Sequence, residues 1–225
     1  MLFDLDGTLC YYTLSVEQVL DRALRRAQIA AEVLGDLRLA AARYAELWGD
    51  VQETLESTER IRLHIMERLL AERGSNDATC AARLSDAYGA VREESGVRLF
   101  GGAAELLRDM KRRCALGLLT NGPSDMQWAK IRSLGLDGLF DATVVAGDVG
   151  LYKPDVRAFE LLLDRLHVRA SCALFVGDSF DLDVVGAHRA GLRTAWIRRD
   201  GASPAEGIVP DLEIAGVASL REVLL

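Results

Sequence analysis

The chain has 225 residues, half of them hydrophobic, with 34 acidic against 27 basic side chains and a formal net charge of −7. This length can bury a substantial core, as one domain or as a domain carrying a sizeable insertion. The acidic balance speaks against a nucleic-acid surface, and no run approaches the ~18 apolar residues a membrane-spanning helix needs. A soluble protein acting on a small soluble substrate is therefore expected. Cys10, Cys80, Cys114 and Cys172 are scattered without a CxxC pair, which predicts neither a zinc site nor a disulfide framework and suits a reducing cytoplasm. No basic segment with an apolar stretch precedes the first strand-like residues, so no secretory signal is expected.

The chain opens with Leu2-Phe3-Asp4-Leu5-Asp6-Gly7-Thr8-Leu9, an apolar strand running into two carboxylates on alternate residues and then a glycine. Side chains alternate along a strand, so Asp4 and Asp6 start on the same side. Gly7 lets the backbone bend around a small ligand. Two acids this close repel unless a cation sits with them. Taken alone, the segment reads equally as a surface turn after an edge strand.

From about Ser15 to Ser95 the composition shifts to Ala, Leu, Arg and Glu, with no proline and no lysine. Val16, Val19, Leu20, Ala23, Leu24, Ala27 and Ala30 follow the three-and-four spacing of an amphipathic helix. Similar stripes run through 37–55, 61–70 and 81–91, broken at Gly35 and at Gly74-Ser75-Asn76-Asp77.

After Gly101 the pattern alternates. Helices are predicted at 103–112, 124–134, 156–166 and 182–190, and strands at 115–119, 142–145, 173–176 and 194–197. That alternation is the mark of a parallel α/β core. The lone first strand cannot bury itself and must join the later sheet. The expected architecture is thus a Rossmann-like parallel core made of residues 1–14 and 96–225, with residues 15–95 inserted after the first strand as a helical domain.

Three further polar stations follow apolar, strand-like runs: Thr120-Asn121-Gly122, Lys153-Pro154, and Asp178-Ser179 with Asp183 five residues beyond Asp178. In an open parallel sheet, ligands bind outside the carboxyl ends of the strands, so these stations should converge there with the opening acids. In order and spacing they resemble the haloacid dehalogenase superfamily of phosphohydrolases. The DxDGT opening is Asp4 to Thr8, the hydroxyl station Thr120, the basic station Lys153, and the acidic station Asp178 with Asp183. Within that family the helical insertion resembles the cap of the C1-capped phosphatases.

The resemblance implies a Mg²⁺-dependent phosphatase acting on a small phosphorylated metabolite. Asp4 would be the nucleophile that forms an aspartyl-phosphate, and Asp6 would protonate the leaving alcohol and later activate water, holding its proton with help from the neighbouring carboxylate. Thr120, Asn121 and Gly122 would bind the phosphoryl oxygens, and Lys153 would offset their charge while steadying Asp4. Asp4, Asp178 and the backbone carbonyl of Asp6 would hold Mg²⁺. Thr8, Ser179 and Asp183 would support them, Asp183 by contacting the metal through water or by orienting Lys153, and Asp181 would cap the following helix.

The chain departs from many relatives in reading Cys10-Tyr11-Tyr12-Thr13 where they carry an acid. Tyr11 and Tyr12 either stack on a substrate ring or pack the hinge. Arg60 and Arg62 are candidate substrate contacts on the cap or a solvated helix face. His64, His167 and His188 are expected to be structural or exposed, and Trp48, Trp128 and Trp196 to pack.

A phosphomutase or a dehalogenase on the same scaffold, and a catalytically silent phosphate-binding relative, are the competing readings. Asp6 counts against the dehalogenase, and the lack of lysine in 15–95 counts against a phosphonate hydrolase working through a Schiff base. The long insertion counts against a receiver-like switch of roughly 120 residues. The residue pattern leaves monomer and homodimer equally open.

Overall fold

In the computed structural model, which describes residues 1–55, 57–199 and 207–224, the chain divides into two units. One joins Met1–Tyr11 to Val97–Leu225 and the other is Tyr12–Gly96. The first begins with β1 (Leu2–Phe3). Where the chain leaves this unit and where it returns, β2 (Cys10–Tyr12) and β3 (Val97–Leu99) pair as a two-stranded sheet.

The second unit is helical: α1 (Val16–Ala27), α2 (Leu37–Val51), α3 (Thr58–Ala71) and α4 (Ala78–Ser95), with a 3-10 turn at Ala31–Val33. Each helix starts on a residue whose short side chain takes up an orphan N–H: Ser15, Asp36, Ser57 and Asp77. At Ser15 a full capping box forms with Gln18. The apolar stripe expected to reach Ala30 stops at Ala27, because Gln28 turns left-handed (φ 53°) and the Ile29 N–H closes back on the Leu24 carbonyl. The stripe expected over 37–55 stops at Val51, whose carbonyl is taken by the N–H and hydroxyl of Thr54. Leu20, Leu24, Ile61, Ile65, Met66 and Leu84 form the centre of a core belonging to this unit alone.

In the first unit the chain continues through α5 (Ala103–Lys111), β4 (Gly117–Thr120), α6 (Ser124–Ser133), β5 (Ala142–Val145) and the short α7 (Ala146–Val149). There follow α8 (Val156–Leu166), β6 (Leu174–Gly177), a π-helical turn at Phe180–Val185, α9 (Gly186–Arg189), β7 (Arg193–Ile197), β8 (Leu212–Ile214) and α10 (Ser219–Leu224). The six long-range strands form one parallel sheet in the order β5-β4-β1-β6-β7-β8.

The uninterrupted apolar strands follow from burial on both faces. Phe3, Leu118 and Val176 point into a core shared with α5 and α6, whereas Leu2, Leu119 and Phe175 point into one shared with α8 and α9. The parallel α/β core expected from the alternating pattern is the fold observed. Its sixth strand, β8, was not among the expected elements; three residues of Leu-Glu-Ile carry too little periodicity to announce a strand.

The helix expected at 182–190 begins earlier, at Phe180, and its first turn is a wide π-helical one. Ser179 is its N-cap, accepting the Leu182 N–H at 3.3 Å. Asp181, expected to cap, lies instead inside the first turn, because the shorter serine reaches the N–H from one turn back.

Candidate active site

Two parallel pairings set the site's frame. Phe3 lies level with Leu118 of β4 and Val176 of β6, and the Asp4 N–H donates to the Val176 carbonyl at 3.0 Å. Asp4 therefore leaves the carboxyl edge of the central strand between the ends of β4 and β6, which carry Thr120 and, just past the strand, Asp178.

Lys153 reaches this edge from the segment before α8. Its ammonium donates to Asp4 Oδ1 at 2.6 Å and to Asp183 Oδ1 at 2.7 Å. All three side chains are buried, with Lys153 only 3% exposed. A buried charge is tolerated only when paired and hydrogen-bonded, and here one cation serves two anions. The Asn121 side chain holds the lysine's backbone in a two-way clamp: its amide donates to the Lys153 carbonyl at 2.9 Å and its oxygen accepts the Lys153 N–H at 2.8 Å. Asn121, expected to bind phosphoryl oxygen, thus has its side chain engaged in positioning Lys153.

Asp4, Asp178 and Asp183 each offer a carboxylate oxygen within 4.8 Å of the others. Burial, then the Asp183 and Asp6 charges, lift the Asp4 carboxyl to about 7 against the pull of Lys153. Burial and then Asp4 lift Asp178 to about 6. Burial also raises Asp183. For Lys153 burial works downward, and Asp183 and Asp4 together overcome it and hold the ammonium above its ordinary value.

The loop after β1 wraps this cluster. Gly7 adopts φ +81°, and a side chain there would collide with the Asp178 carboxylate. The Thr8 hydroxyl donates to Asp178 Oδ1 at 3.4 Å. Gly177 likewise leaves room for Asp183, whose carboxylate folds back over the strand end and accepts the Ser179 N–H at 3.0 Å. Both Asp183 oxygens accept hydrogen bonds, one from Lys153 and one from Ser179; Asp4 gives one oxygen to Lys153.

The three clustered carboxylates fit a hard, oxygen-seeking cation such as Mg²⁺, with neither thiolate nor imidazole among them. The Asp6 carbonyl accepts no hydrogen bond among the described residues.

Thr120 is buried at the end of β4 (1% exposed), its hydroxyl 3.4 Å from the Asn121 carbonyl. Gly122 has φ +117°, and the Gln127 amide fills the space beside it. The two opening acids do not share one cation. Asp4 has Lys153, whereas the Asp6 carboxylate meets the Lys130 ammonium at 2.8 and 2.7 Å and the Gln127 amide at 3.1 Å.

Sequence reading missed Lys130 and Gln127. The available signal was their i, i+3 spacing on the helix right after the Thr-Asn-Gly station, on the face that also carries Ile131. It also missed Arg199, which donates to the Gly7 carbonyl, lies 3.9 Å from Asp178 Oδ2 and covers the Phe100 ring.

Tyr11, 41% exposed, tilts against Phe100 with ring centroids 4.9 Å apart. In the helical unit Tyr12 lies under the Arg92 guanidinium. Arg60 is exposed and Arg62 partly buried, its guanidinium laid over Gly89, where a methyl group would collide with it. His64 is half-buried, His167 caps α8 in a left-handed conformation and His188 is exposed. Trp196 is fully buried and donates to the Asp178 carbonyl at 3.0 Å.

An open parallel sheet with buried, lysine-bridged carboxylates at the carboxyl edge of its central strands is a Rossmann-like α/β fold with its acid cluster where such sheets bind ligands. The chain belongs to the haloacid dehalogenase-like hydrolase family, whose model matches residues 1–191. It is 38% identical over 146 residues (64% of this chain, 57% of the relative) to a phosphoserine phosphatase of Thermus thermophilus. It is 33% identical over 200 residues (86% and 82%) to a ribulose-1,5-bisphosphate 5-phosphatase of Halopiger xanaduensis. Most of the curated relatives it matches are spanned over only about half their length. Among solved structures, the HAD-hydrolase YfnB of Bacillus subtilis, crystallised bound to magnesium, superposes with a TM-score of 0.74 at 26% identity, over 99% of this chain and 96% of that one. A 2-haloacid dehalogenase of Pseudomonas syringae follows with a TM-score of 0.70 at 28% identity, over 99% and 96%.

Proposed function

We propose that this protein is a Mg²⁺-dependent phosphatase that hydrolyses a small phosphate monoester through an aspartyl-phosphate on Asp4. The observation that carries the reading is the Lys153 ammonium lodged between Asp4 and Asp183 beside Asp178. A phosphate ester resists attack because nucleophile and phosphoryl oxygens are both negative, so catalysis lies in charge neutralisation and alignment. The named phosphatases among the relatives support the same reading.

In the first step an Asp4 oxygen bonds to phosphorus as the ester P–O bond breaks, and a proton on Asp6 passes to the leaving alkoxide. In the second step Asp6 takes a proton from water, whose oxygen attacks phosphorus and frees Asp4 and inorganic phosphate. Lys153 holds Asp4 and offsets phosphoryl charge, and the Thr120 hydroxyl and the backbone N–H groups of Asn121 and Gly122 bind phosphoryl oxygens. Asp183 orients Lys153, and Thr8 and Ser179 support Asp178 and Asp183. Asp4, Asp178 and the Asp6 carbonyl would hold Mg²⁺, which when bound adds positive charge against the phosphoryl oxygens. Residues 15–95 act as a cap of the C1 type and select the substrate, with Arg60 and Arg62 as candidate contacts. The working compartment on this reading is the cytoplasm.

The test is phosphate release from p-nitrophenyl phosphate and a panel of phosphomonoesters, with and without Mg²⁺, beside Asp4→Asn. Mg²⁺-dependent release that disappears in the variant supports the reading. Release of halide from a 2-haloacid, with no phosphate from any ester, would replace it with dehalogenation. Isomerised sugar phosphate in place of free phosphate would replace it with a mutase.

A further inference from the structure

The Asp6 carboxylate is gripped by one face of α6. Lys130 Nζ meets both of its oxygens, at 2.8 and 2.7 Å, and Gln127 Nε2 donates to Oδ2 at 3.1 Å while also donating to the Asn121 carbonyl at 2.7 Å. Gln127 and Lys130 are three residues apart, so they stand side by side on the helix. They are 1% and 5% exposed, whereas the Asp6 side chain is 36% exposed. The acid is thus held from behind and open in front.

Neither holding residue is what packing alone would select. A lysine on a helix face is ordinarily solvated, and burying its ammonium is costly unless an anion meets it. An apolar side chain of similar volume would pack α6 at least as well as a buried ion pair. Gln127 also leaves its Oε1 buried without a hydrogen-bond partner among the described residues. Flipping the amide would not relieve this, because Oε1 would then face two acceptors, Asp6 Oδ2 and the Asn121 carbonyl. The donor geometry toward Asp6 is kept at the expense of an unsatisfied acceptor.

The contacts also tie the two acids together. Gln127 joins Asp6 to Asn121, the Asn121 amide clamps the Lys153 backbone, and Lys153 pairs with Asp4. Proton transfer to a leaving oxygen needs its donor within hydrogen-bond reach while the nucleophile is in line, and misplacement by about 1 Å can cost ~100-fold.

We propose that Gln127 and Lys130 are positioning residues that fix the Asp6 carboxylate relative to Asp4, so that proton transfer to the ester oxygen keeps step with phosphoryl transfer. This rests on the phosphatase reading above. It predicts a dependence on the leaving group: nitrophenolate departs without a proton, whereas an alkoxide needs one.

The experiment measures single-turnover cleavage of p-nitrophenyl phosphate and of glycerol phosphate by wild type, Lys130→Met, Lys130→Arg and Gln127→Leu, with folding checked by circular dichroism and thermal melts. Lys130→Met should lose roughly 10- to 100-fold on glycerol phosphate, with a several-fold loss at most on the nitrophenyl ester. Lys130→Arg, which can keep the two-oxygen pairing, should regain most of the rate. Gln127→Leu should show the same asymmetry at smaller size and serves if Lys130→Met does not fold. Equal losses on both esters, or none, would overturn the positioning role while leaving the phosphatase reading intact. Should wild type spare glycerol phosphate, the best alkyl ester of the panel takes its place, and a wild type that cleaves no ester of the panel would overturn both.

Discussion

The two units handle charge in opposite ways. Every charged residue that is buried as a whole among the described residues, Asp4, Lys130, Lys153 and Asp183, belongs to the sheet unit, whereas the helical unit buries Ser85, the phenols of Tyr44 and Tyr88 and the Nε of the partly exposed Arg62. The helical unit keeps its ion pairs on the surface, as in Arg25–Asp21, Arg26–Glu94 and Arg43–Glu72, where each contributes little to stability. It is held by an apolar core. The sheet unit instead sequesters four charges at one edge, a costly arrangement that is useful where charge must be neutralised during a reaction. The contrast places the buried charges in one unit and leaves the other to apolar packing.

The sharpest way to break that contrast is Asp4→Asn. It should lower Mg²⁺-dependent phosphate release by about 10⁴-fold or more. The same change replaces a buried carboxylate with a neutral amide, so melts in chelator at pH 8 should show a folded protein no less stable than wild type. Inactivity with a collapsed melting temperature would mean that Asp4 is structural.

Lys153→Met should cost about 3–5 kcal/mol in chemical denaturation, since it strands Asp4 and Asp183 as unmatched buried anions. In the helical unit Ile65→Ala, at a fully buried position, should cost about 2–5 kcal/mol through lost burial and a cavity. Single-turnover cleavage of p-nitrophenyl phosphate by that variant should change far less than its stability. A chemical step that falls as much as with Lys153→Met would erase the division of labour.

The buried acids also give the protein a pH signature with metal chelated. Asp4 at about 7 and Asp178 at about 6 lie above the ordinary 3.8 of an aspartate. Between pH ~4 and ~7 the folded state therefore holds protons that the unfolded chain has released. Their contribution to stability is fully present below that window and is lost as pH rises through 6 and 7, so chelated protein should melt lower at pH 8 than at pH 5. Mg²⁺ at pH 8 should reverse the loss by binding the folded state, and Asp178→Asn should abolish that response. A flat profile would mean that the acids are better solvated than their burial indicates.

The smallest expected effect is Ser15→Ala at the α1 cap, about 1 kcal/mol in denaturation, with no change in single-turnover rate.

What could be read without the structure was whatever is encoded locally. The α1 stripe at Val19, Leu20, Ala23 and Leu24 specifies a helix because 3.6-residue periodicity is a property of neighbours along the chain. The apolar runs before Thr120 and Asp178 specify strands buried on both faces for the same reason. The alternating strands and helices after Gly101 were sufficient for the parallel core, and the ordered polar stations for the family. Tertiary structure decided which charges meet. Lys130 shares a helix face with Gln127 and Ile131, but nothing along the chain names the anion it meets, Asp6, 124 residues away. The pairing of Lys153 with both Asp4 and Asp183, the wide turn that folds Asp183 back over Gly177, and the placement of β8 beside β7 likewise depend on chain crossings that no window of sequence contains. Local periodicity determines elements because their hydrogen bonds close within a few residues. An active site is assembled from side chains whose energies depend on burial and on distant partners, and those exist only once the sheet has formed.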